Sequence, residues 1–558
     1  MAWKWILVAA TVAGLGALLR NKETRELLLS ELHQVNLYLT RYDAWQLVFL
    51  SVGATLILNA LANVLFRDDV YPLSVRIKRA FFRVIRWVPS VRTKITKELD
   101  KTLAGMEKSI LKHSSKSRRS LPAKGLSMDS VMDEINKLEQ MATIDWKTGL
   151  VSGAMYNCSD DLTRLTTQVY GRCAWSNPLH ADLFPHIRQM EAEVVQWTLD
   201  LFHGGPLSCG TMTTGGTESI LLAMRAYRQI GYEKGIEYPE IVLSVSAHCA
   251  FDKAAEYFRM KLTHVPVDPV TRMVDLVAMK RAISPSTVVL VASAPHFPHG
   301  IVDPIQEVAK LGLRYKVGVH VDSCLGGFVV PFMEEAGFEM DPFDFRVEGV
   351  TSISADTHKY GFAPKGTSVI MYSSKSIRRM QYFVASDWTG GVYATPSICG
   401  SRAGSLIAAT WATLLYMGRN GYVESTKKIV TTTQKIAAEL SKVPGVYVLG
   451  SPKVNVVGVA SKEFDIFRVY EKLIERGWHI NGLQFPSSIH LCVTMLHTKD
   501  GVADKFVRDV SEVVAQVASD PKAACGGVGA MYGVSQTIPD RSVINEIAEG
   551  FIDILYKC

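Results

Sequence analysis

Cysteine is scarce and unpatterned: nine occur among 558 residues, no two form a Cys-x-x-Cys pair, and one is left over if all the others were to pair. This spacing excludes a ribbon-type zinc site and fits free thiols in a reducing compartment. No metal site is expected. The chain also lacks a P-loop pattern, a dinucleotide fingerprint, an internal repeat and any low-complexity tract, which excludes the two common glycine-rich nucleotide sites and a repeat architecture. Nor is there a general excess of positive charge. The net charge of +7 conceals +10 carried between Arg67 and Arg119, where 15 Lys or Arg face 5 Asp or Glu, so that the rest of the chain sums to −3. The basicity is therefore a local collar and not the footprint of a nucleic-acid-binding surface.

What is present in some excess is apolar residues, at 48%. Trp45 to Phe66, WQLVFLSVGATLILNALANVLF, is 22 residues without a formal charge, about the length that spans a hydrocarbon core of ~30 Å. A transmembrane helix is expected there. The competing reading, a buried core helix, is disfavoured by the basic segment that follows. By the positive-inside rule the collar and the body behind it face the cytosol. Within the collar, VRIKRAFFRVIRWV alternates cations with Phe81, Phe82, Ile85 and Trp87, a pattern suited to a helix on an anionic membrane surface. An earlier apolar run, Trp5 to Leu19, is followed by Arg20, Lys22 and Arg25. It has the length of a signal-peptide core, and an uncleaved tail is expected. Residues 100–125, rich in lysine and broken by Ser, Pro and Gly, read as a linker.

Beyond the linker, strand-like runs begin at Glu240, Lys261, Ser286, Val317, Gly349 and Thr367, separated by helix-forming segments. Such alternation predicts an α/β fold with a large, doubly wound, mainly parallel sheet. After Gly421 a smaller α/β domain is expected, with VNVVGVAS and SIHLCVTM flanking the helical EFDIFRVYEKLIERG. The expected organisation is an N-terminal segment on the lumenal side (1–44), a transmembrane helix (45–66), a basic juxtamembrane region and linker (67–125), an N-terminal arm with the large catalytic domain (126–419), and a small C-terminal domain (420–558).

Four positions stand out for their chemistry. In SADTHKYGFAPKG, Lys359 and Lys365 sit six residues apart, just after a strand-like run, at the kind of strand end where α/β ligand sites collect. A partly desolvated lysine titrates downward and can form a Schiff base with a carbonyl, although a solvated loop is the commoner place for any single lysine. In TMTTGGTES, Gly215 and Gly216 permit a tight turn and Thr217 can cap the next helix, leaving bare N–H groups for an anion such as phosphate. Many helices begin after glycines, so this signal alone is weak. Asp322 directly follows a buried-looking strand, and two readings are open: a cap on the following turn, or a carboxylate that keeps a pyridine nitrogen protonated so that the ring acts as an electron sink. His248 follows another strand and could lie flat against a cofactor, whereas a lone histidine is more often structural.

In this order, the elements resemble fold-type I pyridoxal-phosphate enzymes of the group II decarboxylase-like branch. YGRCAWSNPLHADLFP, GGTESILLA, FPHGIVDP, HVDSCLGGF, FDFRVEGVTSISADTHKYGFAPKG and GSRAG are similar to the sphingosine-1-phosphate lyase family, from about Leu121 to the C-terminus. The resemblance implies pyridoxal 5'-phosphate as cofactor, with Lys359 joined to it covalently, Asp322 on the pyridine nitrogen and His248 stacked on the ring. It implies Gly216, Thr217 and His358 on the cofactor phosphate, with Gly400 and Ser401 reaching it from the second subunit of a homodimer. Tyr156, Asn177, His180 and Lys365 would line the substrate side, Lys365 receiving the phosphate of a phosphorylated sphingoid base. Tyr156 and Lys359 are the expected proton-transfer groups. Cleavage of the C2–C3 bond to a long-chain aldehyde and phosphoethanolamine at the endoplasmic reticulum membrane would follow. A departure is Ala403, where the family pattern has proline. An amino-acid decarboxylase such as glutamate decarboxylase shares the histidine, lysine and strand-end aspartate; a membrane-tethered scaffold without turnover is the non-enzymatic alternative.

Overall fold

The computed structural model describes residue 30 and residues 40–66, 73–113, 117–523 and 540–557; the run Trp5–Leu19 lies outside them. The chain divides into two units, residues 1–77 and 78–558. In the first, the charge-free run forms one helix, Ala44–Phe66, on which Trp45, Val48, Phe49, Leu50, Leu56 and Leu58 are exposed. Among the described residues no helix is long and apolar enough to cross a membrane.

The basic segment forms the helix Leu73–Ile85, with Phe81, Val84 and Trp87 exposed and Phe82 and Ile85 half-buried. A second helix, Pro89–Ile110, then opens on proline at its first position, where the missing N–H costs nothing. It continues into the stretch expected to be linker, followed by a turn of 3-10 helix, Leu111–His113. The reason is a stripe the lysines obscured: Val91, Ile95, Leu99, Leu103, Met106 and Ile110 fall at helical spacing and are half-buried. The stripe is covered by the C-terminal helix Arg541–Leu555, where Gly550 leaves room for Leu103. Arg86 pairs with Asp540 at 3.0 Å and with Glu546, and Lys557 pairs with Glu107 at the other end.

The large sheet has seven strands: β1 (Cys209–Thr213), β2 (Glu240–Ser244), β3 (Lys261–Val265), β4 (Thr287–Ser293), β5 (Gly318–Asp322), β6 (Ser352–Ala355) and β7 (Ser368–Tyr372), in the order β1-β7-β6-β5-β4-β2-β3. β2 through β6 pair in parallel, and β7 runs antiparallel to both β6 and β1. Six strands therefore end on one edge of the sheet, where the chain leaves for Gly215, His248, Asp322 and Lys359. Helices such as Gly216–Glu233 and Ile305–Tyr315 pack against the strands, so the central strands are buried along their length and read as continuous apolar runs. A short hairpin follows, β8 (Phe383–Ala385) and β9 (Tyr393–Thr395).

The long helix Gly404–Leu440 breaks at Gly418, whose φ of 56° and ψ of 175° no helix accommodates. Beyond it lies an antiparallel sheet of β10 (Tyr447–Val448), β11 (Val456–Ala460), β13 (Ser488–Cys492) and β12 (Asn481–Leu483), in that order. The helix Ile466–Glu475 is capped by Asp465 and packs against this sheet. The arm around Val151 also joins it: Val151 bridges His479, Ser152 N–H donates to the His479 carbonyl at 2.7 Å, and Gly153 N–H donates to the Cys492 carbonyl at 2.9 Å. That pairing carries Tyr156 toward the site.

Candidate active site

β6 ends at Ala355, and the next four residues turn the chain so that His358 and Lys359 both approach the carboxylate of Asp356. The Thr357 hydroxyl donates to that of Thr367 at 2.8 Å, and the Thr367 N–H donates to His358 Nδ1 at 3.2 Å, closing the loop. Lys359 Nζ lies 2.9 Å from Asp356 Oδ2, and His358 Nε2 lies 3.6 Å from the same oxygen. Burial alone would push the Lys359 ammonium down, as the sequence reading expected; the buried carboxylate of Asp356 overrides it and holds Lys359 above the ordinary lysine range. The expected downward shift is thus corrected, and its source, Asp356, was not singled out from the sequence. A signal existed: an acid three residues before the lysine.

Lys365 is the opposite case. Burial, then the neighbouring charge of Lys359, pushes its ammonium down. Its Nζ donates to the His358 carbonyl at 3.4 Å and stands 4.5 Å from the centroid of the Tyr156 ring. Tyr156 packs edge-on against Tyr360 at 4.8 Å between centroids, while Tyr360 donates to the Val493 carbonyl at 2.6 Å. Burial holds the Tyr156 phenol above its usual range. Tyr156, Lys359 and Lys365 are therefore brought together from the arm and the loop after β6.

The helix Gly216–Glu233 has Gly215 as its N-cap, with no side chain capping the first turn. Thr217, expected as the cap, is instead the second residue of the helix and is exposed. The uncapped N–H groups form an anion cradle. Gly216 is required by close approach, since a Cβ there would lie 2.8 Å from both oxygens of Asp356 and from Cys324 Sγ. Glu218 accepts the Thr214 N–H at 2.6 Å and the Ile398 N–H at 2.9 Å, fastening the loop that precedes Gly400 onto the cradle.

Asp322, buried at the end of β5, accepts from the Cys324 N–H at 3.0 Å and the Ser354 hydroxyl at 3.2 Å. The His248 Nδ1 accepts the Ala250 N–H at 3.1 Å, fixing the ring at the start of helix Ala250–Phe258. Asn177 ties the arm to the later loop: its Nδ2 donates to Ser401 Oγ at 3.1 Å and its Oδ1 accepts the Arg402 N–H at 3.2 Å. Ser401 and His180 are exposed, and neither has a described contact with Lys359 or Lys365. Gly400 abuts Tyr393, whose hydroxyl would lie 2.2 Å from a Cβ on that residue. The seven described cysteines are all unpaired.

An uncapped helix start whose first residue has no room for a Cβ, a buried strand-end carboxylate and a reachable lysine fit pyridoxal phosphate in charge and shape. The chain matches the family described as "Pyridoxal-dependent decarboxylase conserved domain" over residues 112–462. Sphingosine-1-phosphate lyase 1 of Rattus norvegicus is 49% identical over 94% of this chain and 92% of that protein, and the Saccharomyces cerevisiae lyase is 43% identical over 85% and 82%. A solved sphingosine-1-phosphate lyase from Burkholderia pseudomallei superposes with a TM-score of 0.74 at 37% identity, covering 80% of this chain and 99% of that one. Glutamate decarboxylase of Lactobacillus brevis gives 0.62 at 19% identity over 74% and 97%, a likeness of fold alone. The fold is thus the fold-type I, decarboxylase-like α/β fold, built on a large, mainly parallel sheet. Within that class, the chain belongs to the sphingosine-1-phosphate lyase family.

Proposed function

We propose that this protein is a pyridoxal-phosphate-dependent aldehyde-lyase that cleaves the C2–C3 bond of phosphorylated sphingoid bases, giving a long-chain aldehyde and phosphoethanolamine in sphingolipid breakdown. The observation that carries the reading is the contrast between the two lysines. Lys359 is paired with a buried carboxylate, while Lys365, six residues on, has no carboxylate partner among the described residues. One is placed to be held and to make a bond; the other has its charge free to receive a substrate phosphate.

Gly216, Thr217 and His358 would hold the cofactor phosphate, His248 would cover the ring, Asp322 would meet its nitrogen and Lys359 would be the covalent attachment. When bound, the cofactor supplies an electron sink for the pair released from C2. The proton taken from the 3-hydroxyl must then be returned to C2; Lys359, set free as the neutral amine when the substrate's amine takes its place, would take that proton and give it back, with Tyr156 as the neighbouring proton-transfer group. Tyr156 keeps its proton at neutral pH because burial disfavours the phenolate. Lys365, Asn177 and His180 would set the polar end of the substrate.

The reading extends to the surroundings. The charge-free run Trp45–Phe66 and the basic collar behind it support, by their sequence pattern, a single-pass signal-anchor in the endoplasmic reticulum membrane with the catalytic part in the cytosol. The cationic, apolar helix after it supports contact with membrane lipid. A substrate with a long alkyl tail resides in that bilayer. Gly400, half-buried, and Ser401, exposed, follow the loop that Glu218 fastens to the cradle and would serve the partner's site in a homodimer.

The test is to incubate detergent-purified protein with a phosphorylated sphingoid base and look for the long-chain aldehyde by mass spectrometry, beside Lys359→Ala. Aldehyde from the wild type and none from the variant is expected. Carbon dioxide from glutamate with no aldehyde would support an amino-acid decarboxylase instead, and protein that binds no pyridoxal phosphate would support a tethered scaffold.

A further inference from the structure

Two buried carboxylates serve the lysine-bearing edge of the sheet, and they are used differently. Asp322 is engaged by the donors on its own neighbours, Cys324 N–H and Ser354 Oγ. Asp356 is fully buried, places Oδ2 2.9 Å from Lys359 Nζ, and leaves Oδ1 without any hydrogen-bond partner. The same carboxylate faces Gly216 so closely that a Cβ there would lie 2.8 Å from both oxygens. Asp356 thus pairs with the lysine and stands close against the first residue of the anion cradle. A buried charge in this position is tolerated only against an opposite charge, and Lys359 is the nearest.

We propose that Asp356 is a positioning residue that anchors the Lys359 nitrogen beside the cradle and keeps it in its proton-bearing form whenever it is not joined to the cofactor. This rests on the reading of Lys359 as the cofactor lysine. Making a C=N bond from an amine and an aldehyde uses the nitrogen lone pair and expels one water, and a protonated nitrogen has no lone pair to offer. Asp356 therefore slows the joining of Lys359 to a free carbonyl and makes the released lysine a proton donor. The other groups facing Lys359 are Cys324 and Tyr156, with Lys365, His358 and Cys492 nearby. Of all these, only Asp356 is a carboxylate, and it is the one held below the ordinary carboxylate range by Lys359 and His358 against the opposing effect of burial.

The experiment strips full-length protein of cofactor, adds pyridoxal phosphate, and follows the rate of absorbance gain against pH for wild type, Asp356→Asn and Asp356→Glu. The expected result is a rate–pH profile for Asp356→Asn displaced at least one unit toward acid, hence about tenfold faster joining at neutral pH, with Asp356→Glu restoring the wild-type profile in part. Superimposable profiles would overturn the proposal while leaving the function intact; a wild type that takes up no cofactor would overturn both. A variant-free check covers the case in which Asp356→Asn does not fold. In cofactor-free wild type, the pH midpoint for labelling Lys359 with an amine-reactive reagent should lie above that for Lys365, and a lower midpoint for Lys359 would overturn the proposal equally.

Discussion

Lys365 carries its ammonium 4.5 Å from the centre of the Tyr156 ring, so the cation expected to read the substrate's phosphate rests on the aromatic residue expected to handle its proton. The two come from segments more than 200 residues apart in the chain. Substrate charge and proton chemistry are thereby linked through one contact, and the contact can be probed from either side.

Replacing Lys365 with Met keeps the apolar stem and removes the charge. A charge-assisted bond to phosphate contributes about 1.5–3 kcal/mol, so kcat/KM for the phosphorylated substrate should fall roughly ten- to a hundredfold. Most of that loss should appear in KM. Steady-state kinetics check it, and a loss confined to kcat would sink the assignment.

The same lysine predicts a pH dependence. Phosphate binding needs the protonated form, and burial together with the charge of Lys359 lowers the pH at which Lys365 gives its proton up. KM should therefore rise on the alkaline side, earlier than an ordinary lysine would allow. In Lys365→Arg the guanidinium stays charged throughout, and this alkaline rise should vanish even if the overall affinity is poorer.

Gly216→Ala should cost cofactor binding more than folding. The added Cβ would meet Asp356 and Cys324 Sγ at 2.8 Å, tighter than any real Cβ contact, at the mouth of the cradle where the backbone must come close to the anion. We expect at least about a tenfold weaker hold on pyridoxal phosphate, read by absorbance titration, with secondary structure by circular dichroism unchanged. Unaltered affinity would show that the phosphate is held elsewhere.

Much of this was legible in the chain beforehand, and for identifiable reasons. β2 and β4 to β7 announce themselves as short β-branched runs because central strands are buried on both faces, while β3, at the sheet edge and largely half-buried, shows as a shorter mixed run; β1, Cys209–Thr213, gives no such signal, since its threonines look like loop. The helix Pro89–Ile110 was mistaken in part for linker because its partner, Arg541–Leu555, lies more than 400 residues away in sequence. Lys359 could be singled out, but the direction of its titration could not, because desolvation is a property of any buried lysine whereas the 2.9 Å approach of Asp356 is a property of this turn. The arm's pairing with the small sheet through Val151 and His479 leaves no local pattern to read.

Ala403 offers a stability test. It caps the helix Gly404–Leu440 with φ −72° and ψ 100°, and that φ is one proline adopts without strain. Ala403→Pro should therefore stabilise the protein by about 0.4–1 kcal/mol through the unfolded chain, a rise in Tm of up to about 1 °C for a chain of this size by calorimetry. A fall would mean that Arg402, held by Asn177, cannot take the extended conformation proline demands of its predecessor.

Arg86, within the basic collar, fastens the C-terminal helix to that segment. Burial alone would raise Asp540, but hydrogen bonds from Ser542 and Arg86 hold its carboxyl below the ordinary range. A carboxyl lowered on folding contributes stability that is present above its unfolded value, about 3.9, and is lost only as pH falls through the lowered one. Docking of Arg541–Leu555 should accordingly persist at pH 5 and loosen under strong acid. Arg86→Ala removes the partner of both Asp540 and Glu546 and should cost about 1–2 kcal/mol locally, so amide exchange across residues 542–555 should quicken about tenfold at neutral pH while exchange in β4 and β5 stays unchanged. If that helix exchanged no faster in the variant, the packing of Leu103 against Gly550 would be holding it without help from the ion pairs.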